Sequence, residues 1–190
     1  DVQVLFVGAL RAADELLPED SEYRDAIVDR LRHVTHHVQE YYWVDLDRLN
    51  RMHRFPVEEY GHGIVNHFNI YPETIPNWLL PWIPDQGGYY AANLGPGRMD
   101  FRFMAQGNLL SVLFGLAGEE RSAELVDLLE ARWDDLVGDM PMKLCWPALE
   151  GRDWEIITGF DAKNRPWSYH NGGSWPCLVW TLGAVAARTD

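Results

Sequence analysis

Three stretches of the chain crowd polar, aromatic and glycine residues together. The first runs from Tyr60-Gly61-His62 to Asn69-Ile70-Tyr71-Pro72. The second runs from Gly87-Gly88-Tyr89-Tyr90 through Asn93, Asp100 and Arg102 to Gly107-Asn108. The third runs from Cys145-Trp146 through Glu150 and Trp154 to Trp175-Pro176. In the third, Glu150 follows Trp146-Pro147-Ala148-Leu149 and precedes Gly151. A carboxylate between Trp, Leu and Gly sits in partly desolvated ground. Desolvation disfavours the charged form and brings acid/base work near neutral pH within reach. A solvated surface-loop carboxylate fits the same position, because most Glu residues are exposed. The run Trp167-Ser168-Tyr169-His170-Asn171-Gly172-Gly173-Ser174-Trp175 sets hydroxyl, imidazole and amide groups between two indoles. Fixed hydrogen-bonding groups beside a flat apolar platform suit a polyol pocket, and paired glycines permit close backbone approach. The same run also reads as a helix-start turn, with Ser174 as N-cap and Pro176 in the first turn.

Other combinations point to less. His33, His36 and His37 lie three and four apart on one helix, but no carboxylate or Cys pattern joins them, so they read as solvated or core-edge groups. The same reading applies to His62 and His67. Cys145 and Cys177 read as small buried hydrophobes and not as nucleophiles. No glycine-rich phosphate loop, GxSxG elbow or zinc-finger spacing occurs.

The elements that must hold these groups are mostly helical. Apolar residues recur at helical spacing over residues 2–17, with Val4, Leu5, Ala9, Leu10, Ala13, Leu16 and Leu17, and Pro18 ends the run. Glu22 to Glu40 is amphipathic, with Ile27, Leu31, Val34 and Val38 as its stripe. Asp45 to Met52 is a short helical piece. Residues 54 to 100 hold many prolines and glycines and predict a long loop, although Trp78, Leu79, Leu80, Trp82 and Ile83 must pack on something. Residues 101 to 116 are apolar nearly all round and predict a buried helix, with Gly118 as a C-cap. Residues 119 to 137 predict a helix with Leu125, Leu128, Leu129, Trp133 and Leu136 inside, closed by Gly138. Residues 139 to 172 are again loop-rich. Ser174 to Arg188 predicts a last helix with Leu178, Val179, Leu182 and Val185 inside. Strand signals are weak. Long connections gathered at one end of a helical scaffold would build a site there.

Composition narrows the function classes. Sixteen Lys and Arg against 29 Asp and Glu give a net charge of −13. Such a chain repels phosphate backbones and anionic lipid, which argues against a nucleic-acid or membrane-surface role. The longest apolar stretch, Leu109 to Gly118, is too short to span a bilayer. Residues 1 to 10 carry no basic segment or cleavage signature of a secretory signal. Two cysteines build no disulfide framework, and a reducing cytoplasm is the simpler expectation. Aromatics make up 13% of the chain, which suits a large aromatic core first and an aromatic-lined sugar cleft second.

Taken together, several segments make the chain recognisable. They include Tyr41-Tyr42-Trp43, the Glu58-Glu59-Tyr60 to Asn66 region, Phe68-Asn69-Ile70-Tyr71-Pro72 and Ile75-Pro76-Asn77-Trp78. Further on come Trp82-Ile83-Pro84, Gly87-Gly88-Tyr89, Asn93-Leu94, Met99-Asp100-Phe101-Arg102-Phe103 and Gly107-Asn108. Glu130-Ala131-Arg132-Trp133, Met140-Pro141 and the whole third cluster complete the set. With these segments the chain resembles the plant and cyanobacterial alkaline/neutral invertases, glycoside hydrolase family 100, closely from about residue 40 onward and more loosely before it.

The resemblance implies an all-α fold, an (α/α)6 toroid with long loops at its active-site end, of which residues 1–190 form the C-terminal half. It implies hydrolysis of sucrose to glucose and fructose with inversion, in the cytoplasm or an organelle, with no cofactor and no metal. A small-molecule sugar is then the partner, and homo-oligomers are common in the family. Glu150 matches the family's general base. Trp146, Trp167, His170, Asn171, Trp175, Asp100, Arg102 and Asn108 are expected to shape and line the sugar site. Asp100 and Arg102 have an alternative as a structural ion pair. The family's acid is an Asp in an Asp-Ser segment followed by aromatics. Asp20-Ser21 does not match it, so the chain alone is expected to be inactive. Two other readings stay open: a carbohydrate-binding or interaction remnant without catalysis, and another α/α-toroid glycosidase acting on a different sugar.

Overall fold

A computed structural model describes residues 1–54, 74–95, 98–138 and 142–189. Helix α1 (Val2–Leu16) turns Val4, Val7 and Leu10 into the core. Leu17 after it is extended, at φ −75° and ψ 141°, because the ring of Pro18 disfavours the helical region for the residue before it. Helix α2 (Arg24–Tyr41) packs on α1. Of its predicted stripe only Val38 is buried, while Leu31 and Val34 lean on the core from its edge. On α1, Leu5 and Leu16 are exposed, against the expected pattern.

The chain then enters a sheet. Strand β1 (Trp43–Asp45) leads into α3 (Leu46–Arg54). A short helix α4 (Leu79–Trp82) and strand β2 (Gly88–Gly95) occupy ground predicted as loop. Strand β3 (Arg98–Met104) follows, and β4 (Cys145–Trp146) completes an antiparallel sheet of order β1-β2-β3-β4. Trp43 faces Tyr90, Ala91 faces Phe103, and Phe103 faces Trp146. The register shifts between Ala91 and Asn93, where β3 carries one extra residue, as a β-bulge does.

The sheet corrects two expectations. The fold is mostly helical but not all-α, and residues 101–104 belong to β3, not to the buried helix. The physical reason is a period of two: Met99, Phe101 and Phe103 are buried, while Asp100 and Arg102 between them are only partly covered. The helix begins after them, as α5 (Ala105–Leu113), and it is buried on nearly every side, as predicted.

Helix α6 (Gly118–Ala131) buries Leu125, Leu128 and Leu129. The predicted single helix breaks at Arg132, whose Nε donates to the Trp82 carbonyl, and resumes as α7 (Trp133–Leu136). That break turns Trp133 outward, where it is exposed. Gly118 has φ +73° and opens α6 instead of capping the helix before it; Gly138, at φ +64°, closes α7 as expected. The loop-rich region predicted for 139–172 contains α8 (Gly151–Thr158) and a 3-10 turn (Ala162–Asn164). Helix α9 (Cys177–Thr189) buries Leu178 and Val185, but Val179 is exposed. Trp43, Tyr89, Phe101 and Phe103 are fully buried and form the aromatic centre of the core. Truncating such a ring costs about 3–5 kcal/mol.

Candidate active site

The polar side of β3, strand β4 and the start of α8 border one open cleft of about 650 Å³. Asp100 and Arg102 come from β3, Trp146 from β4, Glu150 from the residue before α8, and Trp167 from the loop beyond it. Most of the predicted site is therefore brought to one place. Trp146 stands on a built aromatic wall. It stacks on Trp82 at 4.3 Å between centroids and 14° between planes, and meets Trp78 edge-on at 5.1 Å. Trp82 is held by its own Nε1, which donates to Asp135 Oδ2 at 2.9 Å.

Asp100 and Arg102 pair with each other. Arg102 Nη2 lies 2.6 Å from Asp100 Oδ2, and its Nε lies 3.0 Å from Oδ1. Burial opposes the Arg102 charge, but the hydrogen bonds and charge of Asp100 outweigh it and raise the guanidinium above its ordinary value. The ion-pair alternative is thus the arrangement found. The pair still borders the cleft, so both residues face it while bound to each other.

Glu150 differs from its expected setting. It is exposed, on the open side of the cleft, and not in partly desolvated ground. The glycine after it has φ +50° and starts α8 directly, which lifts the carboxylate clear of the apolar run Trp146 to Leu149. The carboxylate is nevertheless anchored: Trp167 Nε1 donates to its Oε1 at 2.8 Å. Trp167 itself sits at φ +62°, and Tyr169 nearby at φ +48°. Bulky residues in the left-handed region cost about 1–3 kcal/mol each and persist only where surroundings fix them.

The remaining predicted residues lie outside the cleft. Asn171 is buried beneath it. Its Oδ1 accepts from Leu149 N at 2.6 Å, and its Nδ2 donates to Leu149 O at 2.9 Å and Asn164 O at 3.1 Å. His170 and Trp175 form an exterior stack with Tyr169, at centroid spacings of 3.8 Å from His170 to Tyr169 and 5.3 Å from His170 to Trp175. Asn108 is buried on α5. Its amide is used by Tyr90 N, Tyr90 O and Met104 O, which joins helix to sheet and leaves nothing for a sugar. Ser174 does not cap α9, which starts at Cys177; it bridges to Lys143 instead. Cys177 is exposed, not buried, while Cys145 is buried, and burial pushes its thiol up. His33, His36 and His37 are exposed, and among the described residues no group of three His, Cys, Asp or Glu could hold a metal ion. No helix among them is long and apolar enough to cross a membrane. The whole first cluster, Tyr60 to Pro72, with His62 and His67, and the segments Glu58-Glu59 and Met140-Pro141 fall outside the described residues.

A family model described as glycoside hydrolase family 100, alkaline and neutral invertase, matches residues 1–190. The chain belongs to the alkaline and neutral invertase family. Neutral/alkaline invertase 3, chloroplastic, of Oryza sativa subsp. japonica is 51% identical over 193 residues, covering 100% of this chain and 32% of that protein. Alkaline/neutral invertase C, mitochondrial, of Arabidopsis thaliana is 50% identical over 190 residues, 97% of this chain and 29% of that protein. Cytosolic invertase 1 of Oryza sativa subsp. japonica is 47% identical over 192 residues, 100% of this chain and 34% of that protein. The chain thus spans about a third of the length of these invertases.

Sequence reasoning missed Asp153 and Ile157 as lining residues of this invertase-family cleft. A signal was present. Asp153 lies three residues after Glu150, and Gly159, at φ +65°, ends the helix Gly151–Thr158 that contains Asp153. Reading 151–158 as a helix would have put Glu150 and Asp153 on one face.

Proposed function

We propose that this chain supplies the general base and one aromatic wall of a sucrose-cleaving, inverting glycoside hydrolase built as an (α/α)6 toroid. The observation that carries this reading is a carboxylate, Glu150, fixed by an indole N–H at the rim of an indole-lined cleft. Indole faces pack on the apolar faces of sugar rings, and polar groups at the rim choose the orientation. In an inverting reaction one carboxylate takes a proton from water as the water's oxygen bonds to the anomeric carbon. A carboxylic acid gives its proton to the departing oxygen as that bond breaks, and the two groups stand about 6.5–9.5 Å apart. Glu150 takes the first role. Asp20-Ser21, on the exposed α1–α2 connection, is not among the cleft's residues, and Asp100 is committed to Arg102. In this reading the acid is the family's Asp, expected in an Asp-Ser segment that neither of these residues matches. The relatives are named as cytosolic, chloroplastic and mitochondrial proteins, and this reading takes the cytoplasm as the site of the activity.

Sucrose turnover by the protein expressed from its own gene, beside its Glu150→Gln variant, tests the proposal. The expected result is a loss of at least 100-fold in kcat. Equal rates would remove Glu150 from the mechanism. Sucrose binding without turnover in the unmodified protein would favour a carbohydrate-binding role, and turnover of another disaccharide in its place would change the substrate. The 190-residue chain alone is expected to show no turnover.

A further inference from the structure

Between residues 149 and 172 two hydrogen-bonded ties join the segment carrying Glu150 to the loop carrying Trp167. Below the cleft, the buried amide of Asn171 holds both backbone groups of Leu149 and the carbonyl of Asn164. At the rim, Trp167 Nε1 holds Glu150 Oε1 at 2.8 Å. The indole is itself seated on the turn: a Cβ at Gly172, where φ is +87°, would meet the Trp167 ring at 3.0 Å and Ala148 Cβ at 3.1 Å. A glycine is needed there for both conformation and space. A sugar platform needs only the ring's face, yet here the N–H is committed to the carboxylate.

We propose that Trp167 is a positioning residue for Glu150. Its N–H occupies Oε1, so the water's proton goes to Oε2, and the carboxylate is kept in one orientation. This rests on the reading of Glu150 as general base. Orientation of a reacting group is worth a large part of its catalytic effect.

The test is Trp167→Phe, which keeps an apolar ring and removes the donor, assayed for sucrose hydrolysis in the protein expressed from its own gene. The expected result is a kcat lower by about 10-fold with KM within about twofold. A raised KM with kcat unmoved would mean a sugar platform only and would overturn the proposal. Trp167→benzothienylalanine, which replaces the N–H by sulfur with little change in ring shape, should give the same fall in kcat; an unchanged kcat there overturns the proposal even if the Phe variant folds poorly. Glu150→Gln in parallel separates the two ideas. An unaffected rate there sinks the base assignment, whereas a large loss beside an unmoved Trp167→Phe kcat sinks only the positioning role.

Discussion

Asn108 and Asn171 perform the same chemistry in two different places. Each is buried, and each clamps both backbone groups of one distant residue, Tyr90 for the first and Leu149 for the second. Each spends its second amide hydrogen on another carbonyl, at Met104 and Asn164. Around Asn108 everything is core: β2, β3 and α5, with Tyr89 and Phe103 fully buried. Around Asn171 the buried set is small, with Gly172, Gly173, Ala148 and Cys145, and the loop above it exposes Trp167, Tyr169 and His170. One clamp therefore holds the fold, while the other holds an exposed loop beside the cleft. The difference teaches that a polar residue in a conspicuous motif need not touch the ligand. Its buried hydrogen bonds can be consumed in placing the group that does.

Variants can break this comparison in order of effect. Asn108→Ala strands two backbone groups of Tyr90 and one of Met104 in the core, and should lower unfolding stability by about 3 kcal/mol in urea titration. The kcat of the remaining folded protein should be unchanged, and a catalytic defect at full folding would erase the distinction. Asn171→Ala should cost less stability, about 2 kcal/mol, because water reaches the loop more easily. Its kcat should fall while KM holds; equal stability losses with normal kcat would make the two clamps alike. Arg102→Met leaves the partly buried Asp100 without its cation, and about 1 kcal/mol should be lost in the same titration.

The smallest effect tests the core side by pH. Burial, then the charges of Asp45 and Glu120, raise the Glu124 carboxyl above its ordinary value on α6. The folded state thus binds this proton more tightly than the unfolded one. Its contribution is present below the unfolded carboxylate range and is lost as pH rises through the raised folded value. Glu124→Gln should stabilise the protein by about 0.3 kcal/mol at pH 7 and by nothing near pH 3. A gain that persists at pH 3 would mean packing, and not charge, is responsible.

Much of the helical frame was legible in the chain. The stop at Pro18, the Leu125-Leu128-Leu129 stripe and the closing Gly138 are local signals, and local rules set them. The sheet was not legible. Met99-Asp100-Phe101-Arg102-Phe103 alternates with a period of two, but it runs straight into an apolar helix, and the combined run looks helical. Strand β1 is also only Trp43–Asp45 and finds its partner at residues 88–90; such pairing is invisible to a local window. In the cleft, the identities of Glu150, Trp146, Trp167, Asp100 and Arg102 were readable from motif and resemblance. The roles of Asn108, Asn171, His170 and Trp175 were not, because residue type does not say which neighbour consumes a side chain's hydrogen bonds.

The sequence by itself determined the stop of the first helix at Pro18, the apolar stripe of α6, the net charge and the family to which the chain belongs. Those follow from spacing, composition and motifs, which need no third dimension. Only the tertiary structure decided that Glu150 stands exposed with one oxygen on an indole, that Asp100 takes Arg102, and that two buried asparagines serve backbone and not ligand. Hydrogen-bond geometry is fixed within about 3 Å, and residues far apart in the chain reach that distance only after the sheet and helices have packed.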